Sequence, residues 1–227
     1  MSAFLNQLRL LCALGPALAL EGAVFDVGVS TMIPDNSGSG VVSSMVLSAD
    51  QVFGPVAAVR VRLSVSGVGV GGAFNGDLYA ALRHVNGFTV LLNRPGKSAD
   101  NTWGYGDNGL EVVLDDSAGL PDIHDYQSSL GGPPAGPLAG AWSTDGRMTD
   151  PAVVTGTSPR NTALDIFVGM EASGLWTLFV ADLSGGGQAR LDSWGLDLEV
   201  TPVPEPAAAA LVLLLGAGVW CGAGRKR

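Results

Sequence analysis

The stretch Val56-Ala-Ala-Val-Arg-Val-Arg-Leu-Ser-Val-Ser-Gly-Val68 decides the fold. Within it Val59, Val61, Leu63 and Val65 alternate with Arg60, Arg62, Ser64 and Ser66. A period of two places the apolar set on one face and the polar set on the other, which describes a half-buried strand of an antiparallel sheet. Working outward, the glycine-rich Gly69–Gly72 ends this strand and Asp77–His84 reads as the next. Asn86-Gly87 is a strong two-residue hairpin signal, with Phe88–Leu92 as the returning strand. Leu110–Leu114 is a further short β run, stopped by Asp115-Asp116-Ser117, and Leu164–Met170, Trp176–Ala181 and Ser193–Val200 complete the predicted strands. Pro121–Pro151 is rich in Gly, Pro and Ser and reads as a long surface excursion. No segment between Leu20 and Val203 carries a 3.6-residue apolar stripe of helix length. The expectation is an all-β fold, an antiparallel β-sandwich. Trp176 shares its strand face with Leu178 and Val180, and Trp194 with Leu196 and Leu198, so both tryptophans are expected to fill the core.

The chain has 227 residues, of which 47 % are hydrophobic and only 15 % charged, so it has apolar surface enough to offset chain entropy. Its 12 basic and 21 acidic residues leave a net charge of −9. An acidic surface repels phosphate backbones, which argues against nucleic acid as a partner. The length fits one sandwich domain with appendages.

Both ends read as processing signals. Leu10–Leu20 is an apolar run behind Arg9, and Ala17-Leu-Ala19 puts small residues where a signal peptidase reads them. Residues 1–19 are therefore expected to be a signal peptide helix, the alternative being a buried N-terminal helix. Arg9-Leu10-Leu11 is too bulky and charged for a lipoprotein site at Cys12. At the other end, Pro202-Val-Pro-Glu-Pro206 cannot continue a strand ladder. Ala207–Gly224 then runs for 18 residues without a charge, about the minimum for a transmembrane helix, and Arg225-Lys226-Arg227 closes the chain on the cytoplasmic side. Pro204-Glu205-Pro206, one apolar helix and a terminal basic cluster, in that order, resemble the PEP-CTERM sorting signal of exopolysaccharide-producing Gram-negative bacteria. The resemblance covers residues 202–227. It implies processing by an exosortase, transient anchoring in the inner membrane, and release to the cell surface or extracellular space. Cys12 and Cys221 both lie in the end segments, so a processed chain would contain no disulfide. The span Leu20–Val203 retains 8 basic and 20 acidic residues, a net charge of −12.

A second resemblance covers most of residues 20–201. Gly174-Leu-Trp-Thr-Leu-Phe-Val-Ala-Asp182, Ser184-Gly-Gly-Gly187 and Leu191-Asp-Ser-Trp-Gly-Leu-Asp-Leu198 are similar to the closing half of the P domain (Homo B domain) of kexin- and furin-like proprotein convertases. Gly76-Asp77-Leu78, Val113-Leu-Asp-Asp-Ser-Ala118 and Leu164-x-x-Phe167-x-Gly169 resemble its earlier motifs, in order. The resemblance implies a jelly-roll sandwich of eight or nine strands. The chain departs from the family pattern over Pro121–Pro159, so no loop function carries over there.

No catalytic constellation is recognisable. A serine triad needs a base beside the nucleophile and an acid to orient it. Between residues 20 and 203 the histidines are His84, expected at a strand end facing solvent or a neighbouring strand, and His124, expected in a flexible loop. Gly156-Thr-Ser158 is followed by Pro159-Arg160, unlike a subtilase nucleophile motif, and no G-x-S-x-G occurs. The convertase catalytic domain is missing, although its P domain invites a serine-endopeptidase label. Dispersed carboxylates leave a carbohydrate-active enzyme as the alternative. For a metal, the oxygen-rich loops suit Ca²⁺ better than zinc, with Asp77, Asp115, Asp116 and Asp182 as the candidate ligands that the family motifs place near strand ends. Asn101-Thr-Trp-Gly-Tyr-Gly106 shows two aromatics among glycines. It reads either as packing over a sheet edge, the preferred reading, or as a platform for a sugar ring. The function expected is a non-catalytic exported sandwich, structural or binding, with exosortase and signal peptidase as partners during export and extracellular polysaccharide as a candidate ligand.

Overall fold

The computed structural model describes residues 20–202 apart from 70 and 118. The predicted signal helix, the transmembrane helix and Pro204-Glu205-Pro206 lie outside the described residues. Among those described, no helix is long and apolar enough to cross a membrane.

Among the described residues nine strands and one short α-helix form in the order β1 (Glu21–Met32), β2 (Ser37–Leu47), β3 (Val56–Val68), β4 (Leu78–His84), β5 (Gly87–Asn93), β6 (Leu110–Leu114), α1 (Tyr126–Leu130), β7 (Leu138–Trp142), β8 (Gly174–Asp182) and β9 (Gln188–Val200). They make a five-stranded sheet ordered β1-β9-β3-β6-β7 and a four-stranded sheet ordered β2-β8-β4-β5. The alternation in β3 sorts as it must: Val59, Val61, Leu63 and Val65 are buried while Arg60, Arg62, Ser64 and Ser66 stand half-exposed on the outer face. The two-residue turn that joins β4 to β5 is Val85-Asn86, with Val85 at φ 50°, one residue earlier than the expected Asn86-Gly87; Gly87 opens β5 and pairs with His84.

The core lies between the sheets, with Trp176 from one and Trp194 from the other both buried. Trp194 donates its indole N–H to Ser43 Oγ of β2 at 2.9 Å, which pins one sheet to the other. Trp176 donates to the Ala172 carbonyl at 3.0 Å and lies 3.9 Å from the His84 ring, tilted by 3°. A buried indole with a satisfied N–H combines large apolar burial with no orphaned donor.

Four further expectations are corrected. Leu164–Met170 is not a strand: Leu164–Phe167 is a 3-10 helix. Leu164 and Phe167 are the buried pair while Ile166 and Val168 are exposed, and a spacing of three is eclipsed on a 3-10 helix whereas a strand would bury alternate residues. The sandwich is not wholly antiparallel, because β6 and β7 pair in parallel. The chain between them passes through a 3-10 turn (Ile123–Asp125) and α1, long enough to return in the same direction. Pro121–Pro151 is only in part an excursion, since it contains β7. Finally, β1 and β2, absent from the predicted strands, form one edge of each sheet.

After β7 the chain crosses from one sheet to the other. Asp145 and Gly146 donate backbone N–H bonds to Leu91 and Val90 of β5, at 3.1 and 2.9 Å. The segment thereby closes the side of the sandwich between the β7 and β5 edges, and open strand edges are what a sandwich must cover.

Candidate functional site

The four acids considered as calcium ligands fall in two places. Asp77 precedes β4 and Asp182 ends β8; Leu78 pairs with Asp182, and Leu183 donates its N–H to the Asp77 carbonyl at 2.8 Å. Asp115 and Asp116 follow β6, where Arg60 of β3 reaches both Asp115 and Glu199. Since β9 starts just beyond Asp182 and ends beside Glu199, the two pairs sit at opposite ends of the sandwich. The fold therefore does not assemble them into one ligand set, and among the described residues no group of three or more His, Cys, Asp or Glu is placed to hold a metal.

Each acid has a structural partner instead. Asp116 accepts from the Thr144 N–H and hydroxyl and from the Leu164 N–H, at 2.7–2.8 Å, tying three loops together. Burial raises the Asp115 carboxyl, but the Ser117 hydroxyl and N–H and the Arg60 guanidinium outweigh it and hold the pKa below the usual range. Asp77 receives Arg94 Nη2 at 3.3 Å, and Arg94 also donates to Ser184 Oγ at 2.7 Å. Burial still raises the Asp77 carboxyl against the pull of Arg94. Among the described residues Asp182 accepts the Ser184 N–H alone, and burial, reinforced by the charges of Asp77 and Asp35, pushes its carboxyl up to about 7.

One histidine is placed as expected and the other is not. His84 ends β4 and faces the neighbouring strand β8, where it is fully buried and stacked on Trp176, with its ring nitrogens bonded to the Leu175 and Glu171 carbonyls at 3.0 and 2.7 Å. His124 is not in a flexible loop but buried in the 3-10 turn before α1. Its Nδ1 meets Asp145 Oδ2 at 2.8 Å and its Nε2 meets the Lys97 carbonyl at 3.0 Å. Burial opposes the charged ring, but the Asp145 carboxylate outweighs it and the His124 pKa is raised. Arg147 carries the network on, donating to Asp145 at 3.2 Å and to Asp122 at 2.8 Å. His124, Asp145 and Arg147 together clamp the segment that closes the sandwich side. With both nitrogens of each ring engaged by protein, neither histidine has a nitrogen left to take a substrate proton. Nothing local in the sequence marks this network, since its members lie between residues 97 and 147 and meet only when the segment crosses.

The aromatic loop packs with one ring and projects the other. Trp103 is 70 % exposed and stacks on no other aromatic ring among the described residues. Its partner Tyr105 turns inward and meets Tyr126 edge-on, ring centres 4.6 Å apart. The loop backbone is tied down. Lys97 Nζ donates to the Thr102 carbonyl at 2.8 Å, and Asn101 Nδ2 donates to the Gly96 and Gly104 carbonyls at 3.2 and 2.8 Å. Tyr105 exchanges backbone bonds with Gly76 and Pro95, both at 2.8 Å. Gly76 is required there, because a Cβ would lie 2.5 Å from the Trp103 carbonyl oxygen and the Tyr105 nitrogen. Phe74, Asp77, Trp103, Tyr105 and Gly185 line a cleft of about 230 Å³ beneath this loop. A larger polar hollow of about 450 Å³ lies between Asp116, Arg160 and Asp165, but Asp116 and Arg160 are held by their neighbours in the clamp.

Residues 202–227 match the PEP-CTERM protein-sorting motif. That motif indicates an exported protein recognised by an exosortase during membrane-associated sorting and delivered to the surface or the extracellular space. No curated protein matches the chain in sequence. Among solved structures, the chain is similar to the serine protease of Aeromonas sobria in complex with its chaperone, with a TM-score of 0.46 and 16 % identity over 83 % of this chain. It is also similar to that protease alone, with a TM-score of 0.45 and 15 % identity over 82 % of this chain. In both cases the match covers 28 % of the protease chain.

Proposed function

We propose that the chain is a non-catalytic β-sandwich, exported, stripped of its tail by an exosortase, and employed at the cell surface or in the extracellular matrix as a structural or binding module. The observation that carries this reading is the sorting motif over residues 202–227, which begins two residues after β9 closes the sandwich. The sandwich itself we read as a P-domain-like jelly roll, on the strength of the ordered motifs from Gly76-Asp77-Leu78 to Leu191–Leu198. Residues 1–19 act as the signal peptide, and signal peptidase is the second partner during export.

The absence of catalysis is supported by the engagement of both histidines with backbone carbonyls or a carboxylate. It is further supported by the partners these acids have already: Asp115 is held by Arg60 and Ser117, Asp116 by Thr144 and Leu164, and Asp77 by Arg94. Calcium is not proposed at Asp77, Asp115, Asp116 and Asp182 as one set, since Asp77 and Asp182 lie at one end of the sandwich and Asp115 and Asp116 at the other.

The test is to express the full chain in a host with and without an exosortase and to weigh the product. The expected mature form lacks Cys12 and Cys221 and so shows no titratable thiol when the exosortase is present. A product that keeps Cys221 in both hosts refutes the sorting reading. Turnover of unfolded casein or mixed glycans that disappears on His84→Ala or His124→Ala refutes the non-catalytic one.

A further inference from the structure

The cleft beneath the Asn101–Gly106 loop combines three things that packing does not require together. The first is an indole left in solvent. A tryptophan offers roughly 150–250 Å² for burial, so an isolated exposed one forgoes much of what the side chain contributes to a fold. The second is a backbone fixed with unusual effort. Lys97, itself buried, uses its ammonium to hold the Thr102 carbonyl, and burial lowers its pKa. Asn101 bridges two more carbonyls of the same loop. A loop tip that presented nothing would not need such bonds, whereas a binding side chain gains from being ordered beforehand. The third is a polar floor. Asp77 lines the cleft, its carboxylate paired with the buried Arg94 guanidinium behind it, so an acceptor lies at the base of a cleft that Phe74, Trp103 and Tyr105 also line.

We infer that this cleft is a saccharide subsite, in which Trp103 stacks on the apolar face of one neutral pyranose ring and Asp77 accepts its hydroxyl groups. A pyranose is the ligand class that shows an apolar C–H face and a hydroxyl edge at once, matching a cleft lined by aromatic rings with an acceptor at its base. The cleft is smaller than the roughly 300–1,000 Å³ of pockets that engulf a small molecule, which suits a single ring of a longer chain. Charge selects further. The span from Leu20 to Val203 carries a net −12, which repels anionic polysaccharides. The Asp77 carboxylate already faces Arg94, so the floor does not call for a cationic ligand. The inference rests on the reading of the chain as an exported binding module and names the ligand of that module.

The experiment is affinity electrophoresis of the full-length chain through gels containing galactomannan, glucomannan, dextran or xylan, with alginate and polylysine as charged controls. At least one neutral glycan is expected to retard the protein, and Trp103→Ala to weaken that retention by about tenfold or more, as removal of an aromatic anchor does. Trp103→Tyr should restore part of it, and Phe53→Ala, which removes another exposed aromatic, should leave it unchanged. Trp103 carries little packing, so the alanine variant remains folded and its loss of binding is attributable to the ring. A second readout is iodide quenching in a Trp220→Phe background. Trp142, Trp176 and Trp194 are buried, so the quenchable emission is that of Trp103, and the retarding glycan should protect it. Retention by none of the neutral glycans, retention that survives Trp103→Ala, or retention by alginate or polylysine alone overturns the inference. Normal export and tail removal alongside any of those results leaves the sorting reading standing, so the two failures are distinguishable.

Discussion

Asp182→Asn tests how the fold treats the carboxyl at the end of β8. Asp182 is buried at 2 % exposure, accepts one backbone N–H from Ser184, and faces the charges of Asp77 and Asp35 as well as Arg94. Burial pushes its pKa up to about 7, whereas the unfolded chain titrates near the ordinary aspartate value of about 3.9. Between those values the folded state binds more protons than the unfolded one. The contribution to stability is therefore complete below about pH 4 and is lost as pH rises through about 7. About three pKa units at 1.36 kcal/mol each set a ceiling near 4 kcal/mol. Asparagine keeps an oxygen for the Ser184 N–H and removes the titration. The variant should match the parent at pH 4 and exceed it by roughly 2–4 kcal/mol at pH 8, a large part of a typical total of about 5–15 kcal/mol. Asp77 moves in the same sense, because its own carboxyl is raised by burial and relieved when Asp182 no longer carries charge. Urea unfolding at one-unit pH steps measures the difference, as a midpoint shift of about 1–2 M at an m-value near 2 kcal/mol/M. Parallel pH profiles for parent and variant would refute the reasoning.

Two other expectations concern the core and the clamp. Trp176→Ala should cost about 3–5 kcal/mol and also orphan the Ala172 carbonyl, leaving the protein largely unfolded, while Phe53→Ala should stay within about 0.5 kcal/mol in the same urea assay. Asp145→Asn should cost about 3–5 kcal/mol, because it leaves Arg147 and His124 buried without their shared carboxylate. In the parent, NMR titration should find His124 protonated above the ordinary 6.5, with its contribution to stability complete below that value and lost as pH rises through the folded pKa; in Asp145→Asn the ring should titrate below 6.5.

What the sequence settled by itself was whatever depends on near neighbours. The two-residue alternation of Val59 to Val65 dictated a one-sided strand, and Asn86-Gly87 marked the hairpin to within one residue of its Val85-Asn86 turn. The parity of Trp176 with Leu178 and of Trp194 with Leu196 dictated that both rings point into the core. The tail was legible for the same reason, since its motif, apolar run and basic end are consecutive. In β1 the half-buried Ala23, Phe25, Val27 and Val29 also alternate, but Val24 on the outer face blurred the pattern, and an edge strand needs less burial to hold its place. Tertiary structure alone decided the rest. Leu164–Met170 became a 3-10 helix because the residues available to the core were Leu164 and Phe167, three apart. His124, Asp145 and Arg147 became a buried clamp only when the chain after β7 crossed to β5, and Asp77 and Asp115 were parted because their strands end on opposite sides of the sandwich. Trp103 was visible in the sequence as an aromatic among glycines. Whether it packed or projected depended on hydrogen bonds from Lys97, Asn101 and Gly76, the last 27 residues away, and bonds over such distances leave no local pattern in a chain.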